Sequence, residues 1–340
     1  MNDQALYSQH NHVVKKLVFI SILLALVVIA LGAYTRLTHA GLGCPDWPTC
    51  YGLIDVPETT EQITKAELAY PERQVEPEKA WNEMIHRYFA GALGLLILAI
   101  AFLSFKNRRQ GTPLRLPLLI LAIVIFQAAL GMWTVTMKLM PIVVMGHLLG
   151  GFTTLCLLFL LSLRLRSHRI NRSDFSVKKY GRYALLGIVI LSGQIALGGW
   201  TSSNYAALSC VELPFCQSGW QEQMNFENSF DLIPPERDSY EFGHLDHDER
   251  VTIHVMHRFG AIVTTVYLAW LILMVYMKAQ TSTFKQSAVV IGVALFSQVI
   301  LGVSNIWFSL PISVAVAHNI VAACLMLTLI ALTYRLRRKI

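Results

Sequence analysis

Charge is what this sequence has least of. Only 14% of its 340 residues are Asp, Glu, Lys or Arg, against 54% that are hydrophobic. A soluble protein of this length needs more charge to cover its surface, so a soluble globular domain is excluded. Negative charge is also nearly missing from one set of segments. The N-terminus, the stretches after the second, fourth and sixth apolar runs, and the C-terminus hold 19 of the 28 Lys and Arg residues; of the 21 acidic residues they hold only Asp3 and Asp174. The net charge of +7 is therefore a topology signal and a contact with lipid headgroups, and no nucleic-acid partner is expected. Intramembrane acids at mid-depth and broken helices are lacking too, which argues against a transporter.

What is present is length in the apolar runs. Eight of them lie at about 17–36, 87–105, 116–137, 141–163, 183–201, 254–277, 286–307 and 311–334. Each is long enough to cross a hydrocarbon core of about 30 Å at 1.5 Å per residue. The first follows Lys15 and Lys16 and is too long for a signal-peptide core, so it is expected to be retained. The basic segments place both termini in the cytoplasm and the loops 37–85 and 202–253 outside, as for a multi-pass protein of the plasma (inner) membrane.

The chain is written twice. "LGAYTRLTHAGLGCPDWPTC" (31–50) aligns with "LGGWTSSNYAALSCVELPFC" (197–216), pairing Gly32 with Gly198, Thr35 with Thr201 and Pro48 with Pro214. Further on, His86 pairs with His257, Gln127 with Gln298, Gly131 with Gly302 and His147 with His318. A weaker quarter-repeat ends the odd-numbered runs in LGAYT, LGMWT, LGGWT and LGVSN. Four helices per half give both halves the same orientation. The expected fold is all-α: a polytopic membrane protein with eight transmembrane helices as two pseudo-symmetric four-helix bundles. Residues 1–163 form the first bundle, 164–182 a cytoplasmic linker and 183–340 the second.

Cysteine pairs sit in both outer loops: Cys44 with Cys50, and Cys210 with Cys216. An oxidising compartment suits two intraloop disulfides, with metal ligation or a redox-active thiol pair as alternatives. Cys156 and Cys324 read as small apolar residues inside helices.

Four histidines, His86, His147, His257 and His318, fall at repeat-related places near the outer edge of the spans. One such residue is usually a hydrogen-bonded interior histidine. Four, paired within bundles and duplicated, point to bis-histidine haem sites; zinc would usually bring a third protein ligand. Arg87 and Arg258 each follow a histidine and are candidates for haem propionates, or for snorkelling to the interface. Glu83 stands one turn before His86, where the second half has His254. It is expected to reach the same cavity, as a proton relay, a substrate-orienting group or a partner of the histidine, or else to be a plain helix-start acid. The acidic stretch 238–250 has no assigned role.

With "GAYTRLTHAGLGCPDWPTC" (32–50), E-x-x-H-R at Glu83, His86 and Arg87, "GHLLGG" at His147, "HRFGA" at His257 and "AHNIVA" at His318, the sequence resembles the haem A synthase family over essentially its whole length. The resemblance implies oxidation of the C8 methyl of haem O to a formyl group by successive hydroxylation, with molecular oxygen as reactant. It implies haem b on His257 and His318, haem O as substrate at His86 and His147, and Glu83 as the residue closest to the chemistry. Haem O synthase and the terminal oxidase are the implied pathway partners; the electron donor is unknown and a homo-oligomer stays open. A b-type cytochrome, as electron carrier or quinol oxidase, and a haem chaperone are the alternatives.

Overall fold

The computed structural model of the protein describes residues 3–110, 112–165, 174–213 and 216–337. Residues 166–173 of the expected linker 164–182, and Pro214 of the repeat, lie outside the described residues. The helices are α1 (Asp3–Leu37), α2 (Thr60–Ala69), α3 (Pro77–Lys106), α4 (Arg115–Thr136), α5 (Pro141–Leu165), α6 (Gly181–Ser203), α7 (His247–Lys278), α8 (Ser282–Trp307) and α9 (Ile312–Arg337). All but α2 are long and apolar enough to cross a membrane. The chain is an all-α, multi-pass membrane protein. Among the described residues, β structure is confined to one isolated bridge between Cys50 and Leu53.

The chain divides into two compact units. In the first, α1 packs against α3 and α5, and α4 against the same two, closing a ring in which α3 and α5 stand diagonally opposed. Residues Glu236–Glu241 also belong to this unit. In the second, α6 and α8 each pack against α7 and α9, so α7 and α9 are the diagonal pair. Large apolar side chains such as Leu95, Phe102, Ile125, Val266 and Phe296 point outward and stay exposed. Lipid is as apolar as they are, so helix association rests on close packing, which glycines allow.

The repeat recurs in the backbone. His39 and Tyr205 adopt left-handed conformations just beyond α1 and α6, and Lys138–Leu139 and Ser309–Leu310 do so beyond α4 and α8. Three helices begin well before their apolar runs. α1 begins at Asp3; α3 begins at Pro77, with proline in its first turn; and α7 begins at His247, behind the N-cap Asp246, whose side chain forms a capping box with Glu249. Helix ends are set by caps and backbone hydrogen bonds, whereas hydropathy reports only the part immersed in lipid. Glu83, His86 and Arg87 thus lie well inside α3, not at its opening.

The short helix α2 is nucleated by a capping box between Thr59 and Gln62. It covers the loop between α1 and α3, where Cys44, Cys50, Tyr51, Val56, Ala66, Ala80 and Met84 form a small core.

Candidate functional site

In the first unit, His86 on α3 and His147 on α5 face each other across the bundle diagonal. Their ring centroids are 6.4 Å apart and the planes stand at 85°. Each ring rests on a glycine of a neighbouring helix. A Cβ on Gly32 would come within 3.0 Å of His86 Cε1, and one on Gly131 within 3.4 Å of His147 Cε1. The second unit repeats the arrangement: a Cβ on Gly198 would meet His257 Cε1 at 3.0 Å, and one on Gly302 would meet His318 Cε1 at 3.2 Å. The "LG" that ends each odd-numbered run is therefore the floor beneath one imidazole.

These residues fit a haem iron. Two metal–imidazole bonds of about 2 Å, plus half a ring on each side, span roughly 6 Å, close to the separation of His86 and His147. The Nδ1 atoms of His86, His147 and His318 are buried without a hydrogen-bond partner among the described residues. Such orphaned nitrogens are costly in a finished apolar core. Among the described residues, no group of three or more His, Cys, Asp or Glu side chains gathers as a metal site, so the donor set suits a group that brings its own equatorial ligands.

Glu83 is only 5% exposed, and its carboxylate is held by the disulfide loop and by Arg87. Its Oε2 accepts from the Cys44 N–H at 2.9 Å and its Oε1 from Arg87 Nη2 at 2.5 Å. A buried carboxylate takes whatever donors surround it, and here those are the disulfide loop and the arginine. Arg87 Nη1 donates to the carbonyls of Thr49, Asp46 and Pro48 at 2.6, 3.0 and 3.3 Å. The second unit repeats part of this pattern. The Cys210 N–H donates to His254 Nδ1 at 3.3 Å, and Arg258 donates to the carbonyls of Cys210 and Glu212 at 2.5 and 2.7 Å. Arg87 Nη1 and the terminal nitrogens of Arg258, expected to meet propionates, are thus directed at loop carbonyls, and Arg87 Nη2 at Glu83. Arg258 Nε is left buried and without a partner among the described residues.

Cys44 is bonded to Cys50 and Cys210 to Cys216, each pair closing a loop beneath its arginine. Asp46 organises the first loop, accepting from Thr49 Oγ1, Tyr51 N and Gly52 N at 2.5, 2.6 and 2.9 Å. Burial pushes the Tyr51 hydroxyl up to about 12, so it remains a donor, to the Gln74 carbonyl at 2.9 Å.

The acidic stretch 238–250 acquires structural roles. Glu241 pairs with Arg73 at 2.9 Å, and Asp246 and Glu249 cap α7. The D-x-x-E spacing of Asp246 and Glu249 carried the cap signal in the sequence. Sequence reasoning also missed Gln194, whose amide lies 3.0 Å from His257 Nδ1.

Residues 15–330 match the family of cytochrome oxidase assembly proteins, COX15-CtaA. The heme A synthase of Shewanella oneidensis is 50% identical over 320 residues, covering 94% of this chain and 96% of that protein. The heme A synthase of Allorhizobium ampelinum is 26% identical over 318 residues, or 88% and 84% of the two chains. That of Bacillus licheniformis is 27% identical over 218 residues, or 62% and 66%. With a match spanning nearly every helix and both histidine pairs, this chain belongs to the COX15-CtaA family of cytochrome oxidase assembly proteins.

Proposed function

We propose that this protein is a haem A synthase of the plasma (inner) membrane, with both termini cytoplasmic. As an oxidoreductase it would convert the C8 methyl of haem O into the formyl group of haem A. The observation that carries the reading is the opposed pair of imidazoles, His86 and His147, inside the first unit. The names of the relatives support the same reaction. Haem O is the substrate and would be held by His86 and His147. In each of two successive hydroxylations the methyl carbon takes one oxygen atom of O2, while two electrons from an external reductant and two protons reduce the other to water; the resulting gem-diol loses water to leave the aldehyde.

His257 and His318 would hold haem b. Bound there, haem b supplies one-electron redox chemistry. Arg258 Nε is the donor left to pair with a propionate of that group. Arg87 instead holds the Cys44–Cys50 loop and Glu83 in place. Glu83, one turn from His86 on α3, would hold or release a proton at Oε1 or Oε2 as the methyl is oxidised. The disulfides Cys44–Cys50 and Cys210–Cys216 staple the loops that carry these contacts. Haem O synthase and the terminal oxidase are the expected partners in assembly.

The test is co-expression with a haem O synthase in a host that makes no haem A, followed by haem extraction, chromatography and mass detection. Haem A is expected only when this protein is present, and is expected to vanish in H86A and H147A. Bound haem b with haem O unchanged, under adequate electron supply, would favour a b-type cytochrome or a haem chaperone instead.

A further inference from the structure

Each Leu-Gly that floors an imidazole is preceded, three residues before the leucine, by a side chain on the same helix. Those four residues are Val28, Gln127, Gln194 and Gln298: three carboxamides and one valine. Gln194 Nε2 donates to the His257 carbonyl at 3.0 Å and lies 3.0 Å from His257 Nδ1. Gln298 Nε2 lies 3.2 Å from His318 Nε2. Gln127 crosses Gly150, one turn beyond His147, so closely that a Cβ there would sit 1.7 Å from its amide nitrogen. Gly260, one turn beyond His257, makes room for Gln194 in the same way, at 2.2 Å from the amide oxygen. One turn beyond His86 stands Phe89, with no such notch.

The remaining amide atoms are uncommitted. Gln127 Nε2, Gln194 Oε1 and Gln298 Oε1 are buried without partners among the described residues, as are the Nδ1 atoms of His147 and His318. A carboxamide carries both a donor and an acceptor and can turn either toward a ring, so it can serve the tautomer that iron binding requires. A ligating histidine held by such a partner keeps its orientation and its basicity. A valine side chain offers neither a donor nor an acceptor.

We propose that Gln194 and Gln298 are positioning residues that hold His257 and His318 as iron ligands. In the first unit neither imidazole has such a contact, since Val28 stands beside His86 and the Gln127 amide nitrogen is without a partner among the described residues, and the haem of that unit is therefore the one that exchanges. The inference rests on reading that unit as the substrate site. A resident cofactor needs both of its ligands held, whereas a substrate must enter and leave as product through at least one weak bond.

The test uses purified full-length protein in detergent, loaded with haem b and haem O, and follows transfer of each haem to apomyoglobin. The low-spin ferric spectrum and the midpoint potential are recorded alongside. Q194L and Q298L are expected to lose haem b about 10–100-fold faster and to shift both spectrum and potential, and Q298N is expected to restore part of the loss. V28Q, or V28Q with F89G to supply the missing notch, is expected to slow haem O transfer by a similar factor. V28N serves if the larger side chain prevents folding. Leucine variants with wild-type retention, spectrum and potential would overturn the proposal, as would folded Val28 variants with unchanged haem O transfer. Haem b retained in the double variant H257A/H318A would instead overturn the ligand assignment beneath it.

Discussion

Glu83 and Arg87 are spaced i,i+4 on α3, and Glu61 and Lys65 have the same spacing on α2. The side chains of the first pair are 7% and 12% exposed; those of the second are 77% and 74%. Sequence spacing alone makes the two pairs equivalent, so their difference in coupling measures what burial adds. For the exposed pair, solvent screening and side-chain entropy leave about 0.3–0.5 kcal/mol. The buried pair has the shorter contact, 2.5 Å against 2.7 Å, and shares donors with the Cys44 N–H. Removing one partner leaves a charge in an apolar surround, at a cost of about 3–5 kcal/mol. R87M should therefore be severe. E83Q should be milder, because Arg87 keeps its loop carbonyls. The double variant E83Q/R87M should be less damaged than the two single losses added together, with a coupling of about 2 kcal/mol or more. The assay is reversible chaotrope unfolding in detergent for both cycles, E83Q with R87M and E61Q with K65M. If the buried pair couples no more strongly than the exposed one, the claim that Glu83 depends on Arg87 for its buried charge is refuted.

Two further outcomes follow from particular contacts. A valine at Gly198 should push the His257 ring off its floor and cut retained haem b about tenfold or more, whereas a valine at Gly193, whose Cβ would meet nothing within 4 Å, should leave it unchanged; pyridine haemochrome spectra read both. Asp174, just outside the apolar spans, gives a pH-dependent case. Burial pushes its carboxyl up, but hydrogen bonds from the Thr281 side chain, the Gln280 and Thr281 N–H groups and Ser176 outweigh that and hold it below the usual value of 3.8. A depressed folded value means the stabilisation is present above pH 3.8 and is lost as pH falls through the lower folded value. D174N should therefore cost about 1–2 kcal/mol at neutral pH, and the gap to wild type should close in acid; parallel wild-type and D174N melts over pH would check this.

Much of the protein could be read before folding was considered. The eight spans followed from run length against bilayer thickness. The four histidines and their glycines followed from a duplicated pattern, which the left-handed residues at His39 and Tyr205 repeat in the backbone. Asp246 and Glu249 carried a cap signal that went unread among so many acids.

The local sequence determined where helices are apolar, which residues recur, and so which imidazoles pair, because these depend on length and period along one chain. Which atoms meet was decided by tertiary structure. The donors that Glu83 meets, Cys44 N and Arg87 Nη2, were chosen by the packing of the disulfide loop on α3. Arg87 Nη1 and the terminal nitrogens of Arg258 meet loop carbonyls that the closed disulfide loops bring within reach. Gln194 lies far from His257 along the chain and became its neighbour only when α6 packed on α7. A buried polar group must bond to whatever the fold places beside it, and that choice is made in space, after the sequence has settled everything periodic.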